Sequence, residues 1–126
     1  IDTAVVVIEH EDGTITTIDN SRKAAYGYDQ RIEVFGADGV VWADNHTPHN
    51  TGRGGADGMH RPQPLHFFMQ RYTESFCREM SAFVDAIVND APALVDGHDG
   101  RMPVVMAMAA KRSLDEARWV GIDEVA

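Results

Sequence analysis

The segment Asp19–Arg31 concentrates side chains that can hydrogen-bond a polar ligand. It carries Tyr26 and Tyr28, with Gln30 two positions further on. If the backbone is extended there, these three side chains point to one side. Two phenol hydroxyls and an amide suit a polyhydroxylated ligand better than they suit a hydrophobic core. The segment therefore predicts one wall of a pocket for a polyol-like molecule.

Charged and amide side chains flank the two tyrosines along the chain. Asn20 and Arg22 come just before them, and Asp29 directly follows Tyr28. A structural interpretation competes with the functional one: the tyrosines pack at a sheet edge with wet hydroxyls, and Arg22 pairs with Asp29 on the surface, where such a pair contributes little. We favour the pocket, and Tyr28 within it. The predicted substrate contacts are Tyr28, Tyr26, Asn20, Arg22 and Asp29.

Other candidate sites in the chain carry weaker signals. The segment 45–66 holds four histidines, but no cysteine or HExxH partner accompanies them, so a solvated loop is favoured over a metal site. Thr51–Gly58 is rich in glycine but lacks the lysine of a phosphate loop, which indicates a flexible loop. Cys77 has no activating base beside it in sequence, and we expect a buried structural thiol. The histidines are His46, His49, His60 and His66.

Composition limits the classes of function. The net charge of −9 disfavours nucleic acid and anionic membranes as partners, because neither phosphates nor lipid headgroups would be neutralised. A single cysteine fits a reducing compartment, so we expect a cytoplasmic protein. No apolar stretch approaches the roughly 20 residues of a membrane helix, and no signal peptide is recognisable. The start at Ile1 predicts a piece of a longer protein.

The first half of the chain reads as a meander of antiparallel strands. Asp12 and Gly13 mark one tight turn, and the segment 36–39 marks another. Alternating and β-branched runs on either side of these turns predict strands over Ala4–Glu9, Thr14–Arg22, Gln30–Phe35 and Val40–Asp44. The segment Asn45–Pro64 has no apolar periodicity and is expected to form a loop or weak edge strand.

The second half is predicted to be helical. Large apolar residues recur at spacings of three and four between Phe68 and Ile87, which indicates a stripe that anchors a helix on the sheet. Asn89–Pro92 should end this helix. A second helix is expected over Gly100–Ala117, with Pro103 in its first turn or at a kink, and Arg118–Val120 as a short closing strand. The prediction is one α+β domain over residues 1–126, a mostly antiparallel open sheet with helices packed on one face.

Several segments together resemble a known family. Ile18–Gly39, which contains Y-G-Y-D-Q-R, is similar to the C-terminal domain of the Gfo/Idh/MocA oxidoreductases. Phe67–Met80 resembles the long helix of that domain, and Asp96–Arg101 with Ala109–Glu116 resembles its final helix. The likeness covers nearly the whole chain in the same order, and it is strongest to the myo-inositol 2-dehydrogenase branch.

This resemblance implies a dehydrogenase that oxidises a secondary alcohol of a cyclic polyol to a ketone. Members of the family carry an N-terminal Rossmann domain that binds NAD or NADP, and their catalytic lysine and Asp/His pair match nothing here. The resemblance therefore implies no catalytic, cofactor or metal residue in this chain, and no activity of the chain alone. It also implies a homodimer or homotetramer formed through the open sheet face.

Two alternatives remain beside this interpretation. The first is a non-catalytic module of the same architecture, which binds a small ligand or drives assembly. The second keeps the enzyme class but changes the substrate to scyllo-inositol or another sugar.

Overall fold

A computed structural model of the protein describes all 126 residues. It contains six strands, two α-helices and one short 3₁₀-helix over Ile122–Glu124. The strands are β1 (Thr3–Glu9), β2 (Ile15–Ser21), β3 (Ile32–Gly36), β4 (Gly39–Ala43), β5 (Arg53–Gly55) and β6 (Gly58–His60), and the helices are α1 (Phe68–Val88) and α2 (Gly97–Glu116). The predicted α+β class is confirmed.

The strands pair only with their sequence neighbours. They form three two-stranded sheets, β1 with β2, β3 with β4, and β5 with β6, instead of the single open sheet that was predicted. The β1–β2 and β3–β4 hairpins do not join because the segment between β2 and β3 is irregular, and its backbone hydrogen bonds are made to a distant loop. The Tyr28 N–H, for example, donates to the carbonyl of Leu65 and not to a neighbouring strand.

The chain divides into two compact units. One comprises residues 1–5 and 19–78, and contains β3 to β6 and the first half of α1. The other comprises residues 6–18 and 79–126, and contains the second half of α1, α2 and the 3₁₀-helix. The description of residues 1–126 as one domain stays a prediction.

Tight turns close the hairpins where the sequence predicted them. In the first, the Gly13 N–H donates to the His10 carbonyl at 2.9 Å. The β3–β4 ladder runs from Ile32 opposite Ala43 to Gly36 opposite Gly39. Gly39 has a φ of 145°, a conformation that a residue with a side chain rarely adopts. These glycines fix the register of the apolar strands that follow them.

The segment predicted as a flexible loop is a third hairpin, so that prediction was wrong. β5 and β6 pair from Arg53 opposite His60 to Gly55 opposite Gly58. Asp57 in the turn accepts from Arg53 Nη2 at 2.7 Å and lies 2.9 Å from His60 Nε2. Polar contacts across the turn stabilise this ladder, which is why a search for apolar periodicity misses it.

In the second unit, α2 begins earlier than predicted because its cap lies earlier. The Asp96 side chain accepts from the backbone N–H of Asp99, and the Asp99 side chain accepts from that of Asp96, which makes a reciprocal capping box. Pro103 consequently lies inside the helix. Val105 and Ala109 on α2, 3% and 5% exposed, are the two buried apolar side chains of the chain.

No closing strand follows α2, so the strand predicted over Arg118–Val120 was wrong. The helix ends at Ala117 in the left-handed conformation, and the 3₁₀-helix follows. Arg118 donates from Nη2 to Glu124 at 2.6 Å and from Nε to Glu116 at 2.6 Å. These two ion pairs connect the 3₁₀-helix to the end of α2 through Arg118, the first residue of the predicted strand.

The apolar stripe of α1 is present but largely uncovered. Phe76 is 42% exposed, Met80 61% and Ile87 64%. The expectation that this stripe anchors the helix through burial is therefore wrong for these 126 residues, since no strand ladder packs extensively on α1 within either unit. Cys77 is exposed as well, which corrects the prediction of a buried thiol.

Candidate functional site

A turn at Ala24–Gly27 decides where the two tyrosines go. The Gly27 N–H donates to the Ala24 carbonyl at 3.3 Å, and Gly27 has a φ of 133°. A Cβ at this position would lie 2.8 Å from the carbonyl oxygen of Pro64, so only glycine fits without movement. The backbone is not extended here, and Tyr26 and Tyr28 find different partners instead of sharing one side.

Backbone hydrogen bonds brace the segment after the turn. The Tyr28 N–H donates to the Leu65 carbonyl at 2.8 Å, and the Leu65 N–H donates to the His46 carbonyl at 2.9 Å. The Gln30 N–H donates to Asn45 Oδ1 at 2.7 Å. Three segments that are distant in sequence are thus held side by side, all within the first compact unit.

Asp29 is the hub of the side-chain contacts around Tyr26. Its carboxylate accepts the Tyr26 hydroxyl, Arg31 Nε at 2.8 Å, Arg31 Nη2 at 2.9 Å and Asn45 Nδ2 at 2.7 Å. The Asp29 side chain is only 17% exposed. Hydrogen bonds from Arg31, Tyr26 and Asn45 hold the pKa of Asp29 well below its usual range. The same contact raises the pKa of the Tyr26 phenol, because its proton is held by the carboxylate.

The hydroxyl of Tyr26 is therefore already engaged within the chain. Its ring is 46% exposed and its polar end is bonded to Asp29. Asp29 in turn has both carboxylate oxygens occupied by donors of the protein. Both residues were predicted to contact substrate directly, and the contacts observed here fix the course of the backbone around Tyr28.

Tyr28 belongs to a small aromatic cluster with the first turns of α1. Its half-buried ring meets Tyr72 edge-on, with centroids 5.8 Å apart and an interplanar angle of 85°. The Tyr72 ring also lies against the Phe76 ring, with centroids 6.2 Å apart. Burial, and then hydrogen bonding with the Tyr28 side chain, raise the pKa of Tyr72. The Tyr28 hydroxyl has no partner within the chain other than Tyr72.

Arg71 lies close to Tyr72 and also contacts His46. Arg71 Cζ is 5.6 Å from the centroid of the Tyr72 ring, which is cation–π range. Arg71 Nη1 is 3.3 Å from both ring nitrogens of His46. A neutral imidazole has one acceptor nitrogen, so at most one of these contacts is a hydrogen bond.

Asn20 and Arg22 are not brought to this cluster. Both are exposed, and no hydrogen bond or ion pair joins either to Tyr28 or Tyr72. The Arg22 N–H donates to the Asp2 carbonyl at 2.9 Å, and Arg22 Nε lies 4.0 Å from the Asp2 carboxylate. The surface ion pair proposed between Arg22 and Asp29 was wrong, because Arg31 occupies Asp29.

Sequence reasoning missed several residues of the cluster. Tyr72 was assigned to the apolar stripe, although a tyrosine among phenylalanines carries a hydroxyl that needs a partner or water. His46 was weighed only as a metal ligand or as a histidine of a solvated loop, not as a neighbour of Tyr72. Nothing in the local sequence marks Asn45, whose partners are fifteen and sixteen positions away. No group of three His, Cys, Asp or Glu side chains is placed to hold a metal ion.

Comparison with known proteins assigns the family. Residues 1–122 match the family model described as "Oxidoreductase family, C-terminal alpha/beta domain", GFO_IDH_MocA_C. The chain belongs to the Gfo/Idh/MocA oxidoreductase family. The resemblance drawn from Y-G-Y-D-Q-R and the helix segments is confirmed by this match.

Gfo/Idh/MocA relatives match the chain over nearly its whole length. It is 42% identical over 125 residues to a myo-inositol 2-dehydrogenase of Thermotoga maritima, covering 99% of this chain and 37% of that protein. It is 43% identical over 122 residues to an inositol 2-dehydrogenase of Rhizobium meliloti, covering 96% and 37%. The crystal structure of a probable dehydrogenase from Thermotoga maritima superposes with a TM-score of 0.96 at 42% identity, covering 100% of this chain and 38% of that one.

The chain thus spans little more than a third of its relatives' length. Oxidoreductases of the Gfo/Idh/MocA family generally depend on NAD or NADP. The residues present do not fit such a cofactor, since the glycine-rich segment 52–58 lies in a β-hairpin and not between a strand and a helix. Neither α1 nor α2 combines the length and the apolar character that a membrane-spanning helix requires.

Proposed function

We propose that this chain is the substrate-side C-terminal domain of a longer dehydrogenase, which oxidises a secondary alcohol of a cyclic polyol such as myo-inositol to a ketone. The observation that carries this proposal is that Tyr28 has a fixed position and a hydroxyl that can bind a ligand. Its backbone is held by the bond to Leu65 and its ring lies against Tyr72, while its hydroxyl has only the Tyr72 side chain as a partner within the chain. The names of the relatives supply the substrate class.

In this proposal the chain binds and orients the substrate and does no redox chemistry. The Tyr28 hydroxyl can donate to one substrate oxygen and accept from another, which suits a ring of hydroxyl groups. Tyr26, Asp29 and Asn45 hold the backbone that carries it. Because such preorganised contacts fix the geometry of the reacting alcohol, their loss should reduce turnover as well as binding.

The cofactor would be bound by the part of the protein outside these residues. NAD is our proposal and NADP the alternative, since nothing in this chain distinguishes them. A cytoplasmic location likewise remains a prediction from the single cysteine.

Self-association is the second part of the proposal. The β3–β4 ladder exposes large apolar side chains on both of its faces: Phe35 is 83% and Trp42 60% exposed on one face, and Val41, opposite Val34, is 74% exposed on the other. Uncovered apolar side chains of this kind are typical of an interface, and we propose that a face of this ladder forms a homodimer or homotetramer. The same exposure would suit a non-catalytic assembly module, which is the alternative function.

Kinetics of the longer protein test the assignment of Tyr28. Tyr28→Phe should lower kcat/KM for myo-inositol by an amount equivalent to about 1–3 kcal/mol, since one hydrogen bond to substrate is lost. Tyr26→Phe is the comparison variant: because its hydroxyl is bonded to Asp29, its removal should lower stability and should affect kcat/KM less than Tyr28→Phe, only through the position of Tyr28. Unchanged kcat/KM in Tyr28→Phe would remove the pocket assignment. Absence of any polyol oxidation with NAD or NADP would favour the assembly module.

A further inference from the structure

One arginine in the chain is both shielded from water and without an anionic partner. Seven of the eleven cationic side chains pair with a carboxylate within 4.0 Å. Of the four that do not, Arg71 is half-buried and the other three are exposed. Its Nε is buried and has no hydrogen-bond partner. The other three are Lys23, Arg61 and Arg101.

This state is unfavourable for a guanidinium. Removing a cation from water is costly unless an anion or a set of acceptors replaces the water. Arg71 has at most one acceptor, a ring nitrogen of His46. In a chain that carries 20 acidic residues, none is placed beside it. The rings of His46 and Tyr72 hold the guanidinium in position and leave Nε and Nη2 without acceptors.

We propose that Arg71 is a receptor for a carboxylate group that comes from outside these 126 residues, next to the Tyr28–Tyr72 cluster. The planar fork of a guanidinium matches the two oxygens of a carboxylate. The inference does not depend on the polyol proposal, because a neutral polyol supplies no anion.

The charges and donors at this position favour a carboxylate over a phosphate. Arg71 is the one permanent cation of the cluster that lacks a counter-charge, since Asp29 already neutralises Arg31. A helix start often supplies extra N–H groups to a phosphate, but here Gln70 Oε1 accepts from the N–H groups of His66 and Phe67. These two N–H groups are therefore not available to a phosphate, and the one unpaired cation matches a single negative charge.

The carboxylate has two possible sources with the same chemistry. It can be a side chain of another polypeptide segment, or it can belong to a carboxylated polyol whose hydroxyls also reach Tyr28. These sources differ in one measurable respect: only the second gains affinity from the hydroxyl groups.

Titration of the chain with small anions tests the receptor. The probes are sodium acetate, sodium D-glucuronate, sodium phosphate and sodium chloride at equal ionic strength, followed through the side-chain Nε–Hε signals of the arginines by NMR. Acetate and glucuronate should shift the Arg71 signal saturably and chloride should not. If the source is a polyhydroxy acid, glucuronate should bind up to about tenfold more tightly than acetate through an added hydrogen bond. Equal affinities assign the source to a protein side chain.

Matched variants separate the receptor from general salt effects. Exposed Arg61 and Arg78, the latter paired with Glu74 at 2.6 Å, should not respond in the wild-type chain. His46→Ala should weaken the acetate response of Arg71 at unchanged far-UV circular dichroism. The assignment of the signal comes from side-chain-to-backbone correlations, so no variant has to fold for the main test.

A chloride response equal to that of acetate, a phosphate response stronger than acetate, or no response of Arg71 overturns the proposal. Since myo-inositol is absent from these arms, the polyol proposal stands or falls separately on the kinetics of Tyr28→Phe.

Discussion

The substitution Asp29→Asn tests whether the Asp29 carboxylate stabilises the backbone segment that carries Tyr28. Asparagine keeps the shape of aspartate but replaces one acceptor oxygen by an NH₂ group, which then faces the donors of Arg31, Tyr26 or Asn45. Arg31 is 62% exposed and can turn to water. The Asn45 amide is part-buried, so its lost bond to a charged acceptor should dominate. We expect the free energy of unfolding to fall by about 1.5–3 kcal/mol at pH 7.

The same residue predicts a pH dependence of stability. Its carboxylate has a lower pKa in the folded state than the ordinary value of 3.8. A depressed pKa stabilises the fold above 3.8, and this contribution is lost as the pH falls below that value toward the folded-state pKa. In Asp29→Asn this part of the acid-induced loss should be missing, so the stability curves of the two proteins should converge at low pH.

Urea unfolding from pH 7 down to about pH 1.5, well below the ordinary pKa of 3.8, measures both effects. Asp19→Asn is the matched control, since Asp19 is exposed and makes no ion pair or side-chain hydrogen bond. A second readout is the ultraviolet titration of the phenols, in which the raised pKa of Tyr26 should return toward its ordinary value of 10.0 in Asp29→Asn. If Asp29→Asn is as stable as Asp19→Asn at pH 7 and its phenol titration is unchanged, Asp29 is not the hub that we describe.

Three further predictions concern backbone, cap and ion pair. Gly27→Ala should destabilise the chain by at least about 1–3 kcal/mol through a strained φ and a clash with a carbonyl, whereas Gly100→Ala, in a helix with open space around it, should stabilise by up to about 1 kcal/mol in thermal unfolding. Asp96→Ala should lower stability by about 1 kcal/mol through loss of the cap of α2, seen as reduced helicity and a lower midpoint. The pKa of Glu124 should be about 2, because Arg118 and a backbone N–H bond its carboxylate. Carboxyl ¹³C NMR of Arg118→Met should show it rising toward 4.5, and an unchanged value would refute the pairing.

The sequence predicted the features that depend on neighbours along the chain. Turn glycines such as Gly13 and Gly39 specify their hairpins through backbone conformation, which needs no knowledge of distant residues. The end of α1 follows from the Asx and proline signals directly after Val88 in the same way. The course of the backbone at the candidate site cannot be predicted in this way. It depends on the close approach of Gly27 to the Pro64 carbonyl and on a hydrogen bond between Tyr28 and Leu65, which are nearly forty residues apart.

The residues around the candidate site were predicted only in part, because several of their contacts join positions that are distant in sequence. Tyr28 stays a prediction that rests on its residue type and on the charged residues that follow it, and the structure gives it a neighbour in Tyr72, which the sequence pattern placed in an apolar stripe. Tyr26 was placed beside it on the assumption of an extended backbone, which a turn at Ala24–Gly27 replaces. Nothing in the local sequence distinguishes Arg71 from the solvated arginines of a helix, because its partial burial depends on contacts with His46 and Tyr72.

The site is held by polar contacts and not by a hydrophobic core. The two buried apolar side chains of the chain, Val105 and Ala109, lie in the unit that does not contain the tyrosine cluster. Around Tyr28 the fixed points are backbone bonds and the carboxylate of Asp29, which are directional and therefore specify geometry at small cost in buried area. Apolar burial tolerates small displacements, whereas these bonds weaken steeply when bent or stretched. Loss of Asp29 should therefore misplace the Tyr28 hydroxyl even where the chain remains folded.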